Sequence, residues 1–168
     1  MACTQRSGIY KIQVAPYSND AFYVECDADT AGGDWTVIQR RQDGSEDFHR
    51  NWEEYEKGFG SPHGEYFIGL KILYALTNLH GPQELLIVMK DVNNTKAFAK
   101  YNTFAIGNDT EFYKLKKVGT YSGNAGDSLT THLGMMFSTK DRDNDVNNGF
   151  NCATHFTGAW WYKACHAR

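Results

Sequence analysis

The stretch Gly32–Gly60, GGDWTVIQRRQDGSEDFHRNWEEYEKGFG, carries a strand, a turn and a helix in close succession. Trp35 to Arg41 (WTVIQRR) is β-rich and alternating, and Asp43-Gly44 is a turn pair. Asn51 to Lys57 (NWEEYEK) is polar except at Trp52 and Tyr55, spaced i, i+3. It reads as a short helix stopped by Gly58. Trp35 and Trp52 read as core.

Toward the N-terminus, Ser7–Val14 (SGIYKIQV) and Ala21–Glu25 (AFYVE) read as short strands around the turn-like Pro16–Asp20. Toward the C-terminus, a second helix spans Leu70–Asn78, where Leu70, Leu73, Tyr74 and Thr77 share a face. Gly81-Pro82 ends it. Glu84–Asp91 (ELLIVMKD) is an apolar run of the length expected for a buried strand. Thr95–Phe104 alternates and pairs with it across the Asn93-Asn94 turn. Glu111–Val118 reads as another strand and Gly119–Asp127 as a loop. From Gly134 onward Gly, Asn and Asp are too dense for regular structure. With no linker or repeat, the 168 residues make one α+β domain: a central antiparallel sheet, two short helices and a loop-dominated end.

A net charge of −3 and a pI near 6.0 recommend neither nucleic acid nor an anionic membrane as partner. No apolar run reaches membrane-spanning length, and the opening MACTQ lacks the features of a signal peptide. Aromatic residues reach 14%, which suits a loop-rich domain stitched by ring clusters, or a binding surface. The four cysteines have no C-x-x-C spacing, so zinc-ribbon and thioredoxin readings fall away. Of three connectivities, the local pairs Cys3 with Cys26 and Cys152 with Cys165 need the least chain closure. With the sequons at Asn93 and Asn108, this favours a secreted, extracellular protein.

The last segment, Lys140–Arg168 (KDRDNDVNNGFNCATHFTGAWWYKACHAR), places Asp141, Asp143 and Asp145 at alternate positions. Such carboxylates repel one another unless solvated or bridged by a cation. Hard oxygen ligands on an irregular loop suit Ca²⁺, while a solvated acidic turn is the plain alternative. An EF-hand is excluded, because its sixth and twelfth positions hold Val146 and Cys152. A disulfide would close this loop instead, stabilising it by roughly 3 kcal/mol in the chain-entropy model. Catalysis lacks support: Asp127, Ser128 and His132 do not report a triad, and no Gly-rich phosphate loop is present. His49, His63, His80, His132 and His155 read as surface or turn residues. His166 is the best ligand candidate.

Gly32–Gly60, together with EYFIGLKILYALT, AGDSLTTHLGMMFSTKDRDND and NCATHFTGAWWYKACH, resembles the fibrinogen C-terminal domain over nearly the whole chain. Within that family it is most similar to the ficolins, tachylectins and insect fibrinogen-related immune proteins. The resemblance implies an N-terminal subdomain (about 1–41) with its own disulfide, a central sheet subdomain (42–133) and a partial binding subdomain (134–168). It implies calcium held by the side chains of Asp143 and Asp145 and the carbonyls of Asn147 and Gly149, with Asp141 flanking. An acetyl-binding pocket would use Phe156, Ala164, Cys165 and His166, with a cis peptide at Ala164-Cys165. Phe156 stands where several lectin members carry Tyr, Leu133 departs from the usual His-Asn-Gly, and the Asp145–Cys152 spacing is one residue longer. Family domains continue past the histidine to a final strand in the central sheet, so ending at Ala167-Arg168 implies an unpaired sheet edge. The implied function is a calcium-dependent pattern-recognition lectin for acetylated glycans on microbial surfaces, homo-oligomeric in its full-length form. The competing expectation is a protein–protein interaction module of a secreted adhesion or receptor-ligand protein, docking on other fibrinogen-like chains.

Overall fold

The computed structural model describes residues 6–14, 21–79, 81 and 83–166, which form an α+β arrangement of three antiparallel sheets. β1 (Gly8–Ile12), β2 (Phe22–Asp27) and β3 (Trp35–Val37) make the first sheet, in that order. Val24 and Cys26 of β2 point into the core, while Tyr23 before them is exposed and Glu25 between them is half-buried, as a two-residue period requires. Cys26 is disulfide-bonded; its expected partner, Cys3, lies outside the described residues, as do Pro16–Asp20, His80 and Pro82. The run expected as one strand over Trp35–Arg41 splits at Ile38. β4 (Gln39–Arg40) joins β5 (Phe59–Gly60) and β6 (Tyr66–Phe67) in a second sheet, order β4-β6-β5. The Ile38 carbonyl accepts the Ile68 N–H at 2.9 Å at this crossover.

Helix α1 (Trp52–Lys57) forms because its N-terminal donors are met locally. Asn51 Oδ1 accepts from Glu54 N–H at 3.0 Å, and Glu54 Oε2 accepts from Asn51 N–H at 2.9 Å, a reciprocal capping box. Glu53 and Glu54 near the start and Lys57 near the end complement the helix dipole. Gly58 stops the helix at φ 88, with a Cβ there falling 2.7 Å from the Ile68 carbonyl oxygen. Helix α2 (Leu70–Leu79) buries Leu70, Leu73, Ala75 and Thr77. Phe59, Phe67 and Phe137 each pack on Tyr55 with centroids 5.0–5.3 Å from its ring, and Trp161 joins Phe137 at 5.1 Å. Each such ring buried contributes about 1.5–3 kcal/mol. Trp52 lies in this core, whereas Trp35, expected there, is only half-buried and donates its indole N–H to the Thr30 carbonyl.

The central sheet is organised by β8 (Lys96–Ile106). β7 (Gln83–Lys90) pairs along one edge; β9 (Leu115–Val118) and β10 (Tyr121–Gly123) share the other. β10 lies inside the stretch expected to be a loop. The strand expected over Glu111–Val118 begins only at Leu115, because Asn108 and Glu111 form a second capping box. This box folds Asp109–Glu111 into a 3₁₀ turn.

β7 corrects a further expectation. Its apolar run suggested a buried strand, yet it is an edge strand with no buried residue; Val88 is 55% and Met89 42% exposed. Continuous hydrophobicity signals contact on both faces, but among the described residues one flank of the strand borders a trough. The trough, about 950 Å³, runs between β7 and the Ile38–Gln42 stretch and is floored by Phe67, Leu73, Phe104 and Trp161. A continuation of about 610 Å³ passes β3 and β4. An exposed apolar edge templates self-association. Val88→Lys is therefore expected to lower light scattering at a fixed protein concentration, with a melting midpoint within about 2 °C of wild type; undiminished scattering counts against the edge as the sticky element.

Glu65 fixes the turn that precedes α1. Its buried carboxylate accepts backbone N–H groups from Gln42, Asp43, Gly44 and Glu46. These bonds, that from Glu46 first, hold its pKa at about 2 against the usual 4.5. A depressed pKa means its contribution is complete above pH 4.5 and disappears as pH falls toward 2. Urea unfolding between pH 5 and pH 2.5 should show wild type losing stability that Glu65→Gln, already weaker at pH 5, has less of to lose. Parallel pH profiles would refute this role.

Candidate functional site

Residues from Phe137 onward hold together through asparagine side chains rather than long ladders. Ser138 and Trp160 exchange backbone hydrogen bonds (2.9 and 3.3 Å), and Val146 N–H reaches the Lys163 carbonyl at 3.0 Å. Asn144 Nδ2 donates to the Phe137 carbonyl at 2.7 Å, and Asn151 Nδ2 to that of Thr139 at 2.9 Å. Asn151 Oδ1 also accepts from Ala153 and Thr154 N–H, capping a one-turn helix, α3 (Cys152–His155), where no regular structure was expected. The Cys152–Cys165 disulfide is formed as expected and sits at the base of this segment.

His132, read from sequence as a surface residue, is buried at 2% exposure. Its Nδ1–H donates to the Trp161 carbonyl at 2.9 Å; because a carbonyl can only accept, this fixes the tautomer. Burial pushes its pKa down, so the ring is neutral and structural. Trp161 is buried and donates to the Tyr113 carbonyl at 2.7 Å, whereas Trp160 is half-buried.

The three aspartates divide their work. Asp141 Oδ1 accepts from Trp52 N–H at 2.9 Å and from Thr139 Oγ1–H at 2.7 Å, so it serves the fold. Asp145 accepts from Asn147 N–H at 2.7 Å and from Cys152 N–H at 2.9 Å. Among the described residues Asp143 accepts only the Asp145 N–H, at 3.2 Å. Desolvation, and then the charge of Asp145, push the Asp143 carboxyl above its usual range. Among the described residues no three His, Cys, Asp or Glu side chains converge, so a cation here must also draw on carbonyls. Those of Asn147 and Gly149 accept no hydrogen bond among the described residues. Neither carboxylate has an ion-pair partner among the described residues, and with these two carbonyls they are the hard oxygen donors that a divalent ion such as Ca²⁺ would require.

The residues expected to wall a pocket lie on the segments that follow the disulfide's Cys152 and include Cys165 itself. Phe156 and His166 are both exposed, with ring centroids 4.4 Å apart and planes at 66°. Ala164 is exposed, and Cys165 adopts φ 66 while its carbonyl accepts the Lys163 N–H at 3.0 Å. His155 packs on Phe156 at 4.8 Å, and Phe150 on His155 at 4.6 Å. Sequence reading passed over Phe150 and the structural asparagines; only Asn151, ahead of Cys-Ala-Thr-His, carried a recognisable helix-cap signature. Asn93 is exposed at the tip of the β7–β8 hairpin. Asn108 is half-buried, with Oδ1 accepting from Glu111 N–H and Thr110 Oγ1–H.

Comparison with known proteins agrees with this architecture. Ryncolin-4 of Cerberus rynchops is 50% identical over 160 residues, covering 95% of this chain and 45% of that protein. The fibrinogen-like globe domain of human ANGPTL2 superposes with a TM-score of 0.90 at 49% identity, covering 95% of this chain and 72% of the other. A lamprey fibrin D-dimer complexed with the peptide ligand Gly-His-Arg-Pro-amide superposes with a TM-score of 0.88 at 34% identity, covering 97% and 55%. The chain spans less than half the length of the curated relatives it matches. Residues 1–168 match the family described as fibrinogen beta and gamma chains, C-terminal globular domain, and the chain belongs to that family.

Proposed function

We propose that this domain is the recognition end of a secreted, calcium-dependent lectin that binds acetylated carbohydrates on microbial surfaces. The observation that carries the reading is the adjacency of two unlike elements across one disulfide. A carboxylate pair lacking a counter-charge lies on one side, and an exposed Phe156–His166 wall on the other. Calcium would be held by Asp143 and Asp145 with the carbonyls of Asn147 and Gly149, and would supply the missing positive charge. The Phe156 ring offers an apolar face to an acetyl methyl, and His166 a polar edge to the amide. An open, shallow surface of this kind binds weakly, so useful avidity needs several copies per particle, which a homo-oligomer would provide.

A protein-interaction reading has one specific support, the lamprey fibrin relative bound to a peptide. An acetylated-glycan array read with and without EDTA separates the two. Calcium-dependent signal competed by N-acetylglucosamine is the expected result; a blank array for folded, calcium-loaded protein rejects the lectin reading.

The metal assignment makes a prediction with opposite signs in two buffers. In EDTA, Asp143→Asn removes a repulsive charge whose pKa is raised, so at pH 7 stability should stay level or rise. In millimolar calcium the same variant should lose the ligand-induced gain in melting midpoint that wild type shows. Equal destabilisation in both buffers, followed by scanning fluorimetry, would rule out Asp143 as a ligand.

A further inference from the structure

The Phe156–His166 contact is one end of a longer row. Phe150, His155, Phe156 and His166 touch in sequence, with centroids 4.6, 4.8 and 4.4 Å apart, and all four side chains are exposed. Phe150 is 48% and Phe156 41% exposed. A single exposed ring is ordinary for a soluble protein, but a contiguous set of rings marks a contact surface.

We infer that Phe150 and His155 extend the sugar-binding surface beyond Phe156 and His166, so that this end takes an oligosaccharide chain rather than one terminal sugar. The inference rests on the lectin reading and deepens it. Three features support it. First, the row is continuous with the proposed acetyl subsite. Second, the backbone that carries its outer ring is tied down: Asn147 Oδ1 accepts Gly149 N–H at 3.2 Å while its Nδ2 donates to the Phe150 carbonyl at 3.0 Å. Asn147 thus holds the Phe150 backbone through its side chain, and its own carbonyl accepts no hydrogen bond among the described residues. Third, the chemistry suits a glycan. Apolar ring faces alternate with imidazole nitrogens, as the C–H faces of successive sugars alternate with hydroxyls. A peptide bound by strand addition would need a free sheet edge, whereas Phe150, His155 and Phe156 lie on α3 and its flanks and His166 follows Cys165, outside any strand.

The test compares N-acetylglucosamine with its β-1,4-linked trimer by calorimetry in calcium, for wild type and Phe150→Ala. Phe150 sits on an exposed turn, and far-UV circular dichroism checks that the variant is folded. Wild type should prefer the trimer, and the variant should lose about fivefold to tenfold of that preference. An unchanged trimer-to-monomer ratio in the variant overturns the extension and leaves the lectin reading standing. Failure of wild type to bind either sugar sinks both. If neither sugar binds but Phe150→Ala abolishes contact with a purified protein partner, the row belongs to a protein interface and the inference is wrong.

Discussion

One carboxylate joins the irregular end of this domain to its core. Trp52 opens helix α1, and its N–H is among those a helix leaves without an internal partner. That partner comes from Asp141, 89 residues later in the chain. The same loop lays the Arg142 guanidinium over the Trp52 ring, 4.3 Å from its centroid, and within 5.9 Å of Phe112. A charge-assisted hydrogen bond is about twice as strong as a neutral one, and here it comes with a cation–π contact on the same residue. Desolvation opposes the charge on Asp141, but the bonds from Thr139 and Trp52 outweigh it and keep its pKa low. Asp141 is thereby committed to the fold, whereas Asp143 and Asp145 have no ion-pair partner among the described residues.

That division gives three similar residues different physical roles. Identical side chains at alternate positions look equivalent in a sequence; the backbone donors each one finds make them unequal. The asparagines behave the same way. Asn144, Asn147 and Asn151 sit where composition suggests a solvated turn, yet each spends its amide on a carbonyl of this loop. A segment that buries little apolar surface must still satisfy its backbone polar groups, and side-chain amides do so without a ladder of strands.

Much of the fold was legible because short-range chemistry and packing agree. The Asn51–Glu54 box, Gly58 and the Trp52/Tyr55 spacing all specify α1, and the structure has it. The family resemblance likewise pointed to the acidic loop and to the Cys152–Cys165 pair. What failed did so where the deciding partner is remote. β7 reads as buried because a hydrophobic run does not say which of its sides is covered. His132 reads as exposed because nothing nearby reveals that the Trp161 carbonyl, 29 positions on, accepts its Nδ1–H. Phe150 was invisible for the same reason: its importance comes from touching His155, a relation set by how Asn147 turns the loop.

The backbone flanking the aromatic wall suggests why that wall is rigid. Thr157 lies at φ 52 and Cys165 at φ 66, two left-handed residues just beyond Phe156 and just before His166. For a β-branched threonine this region is strongly disfavoured, and residues held there cost about 1–3 kcal/mol each. Such strain persists only if surroundings over-determine it. The cap on α3, the disulfide and the Val146–Lys163 hydrogen bond are those surroundings. A shallow site cannot gain much from burying its ligand, so it gains by losing little on binding. Rings already fixed in place surrender no rotamer freedom when a ligand arrives. On the lectin reading proposed above, the strain at Thr157 and Cys165 would be the cost of holding an exposed surface in its binding shape before anything is bound.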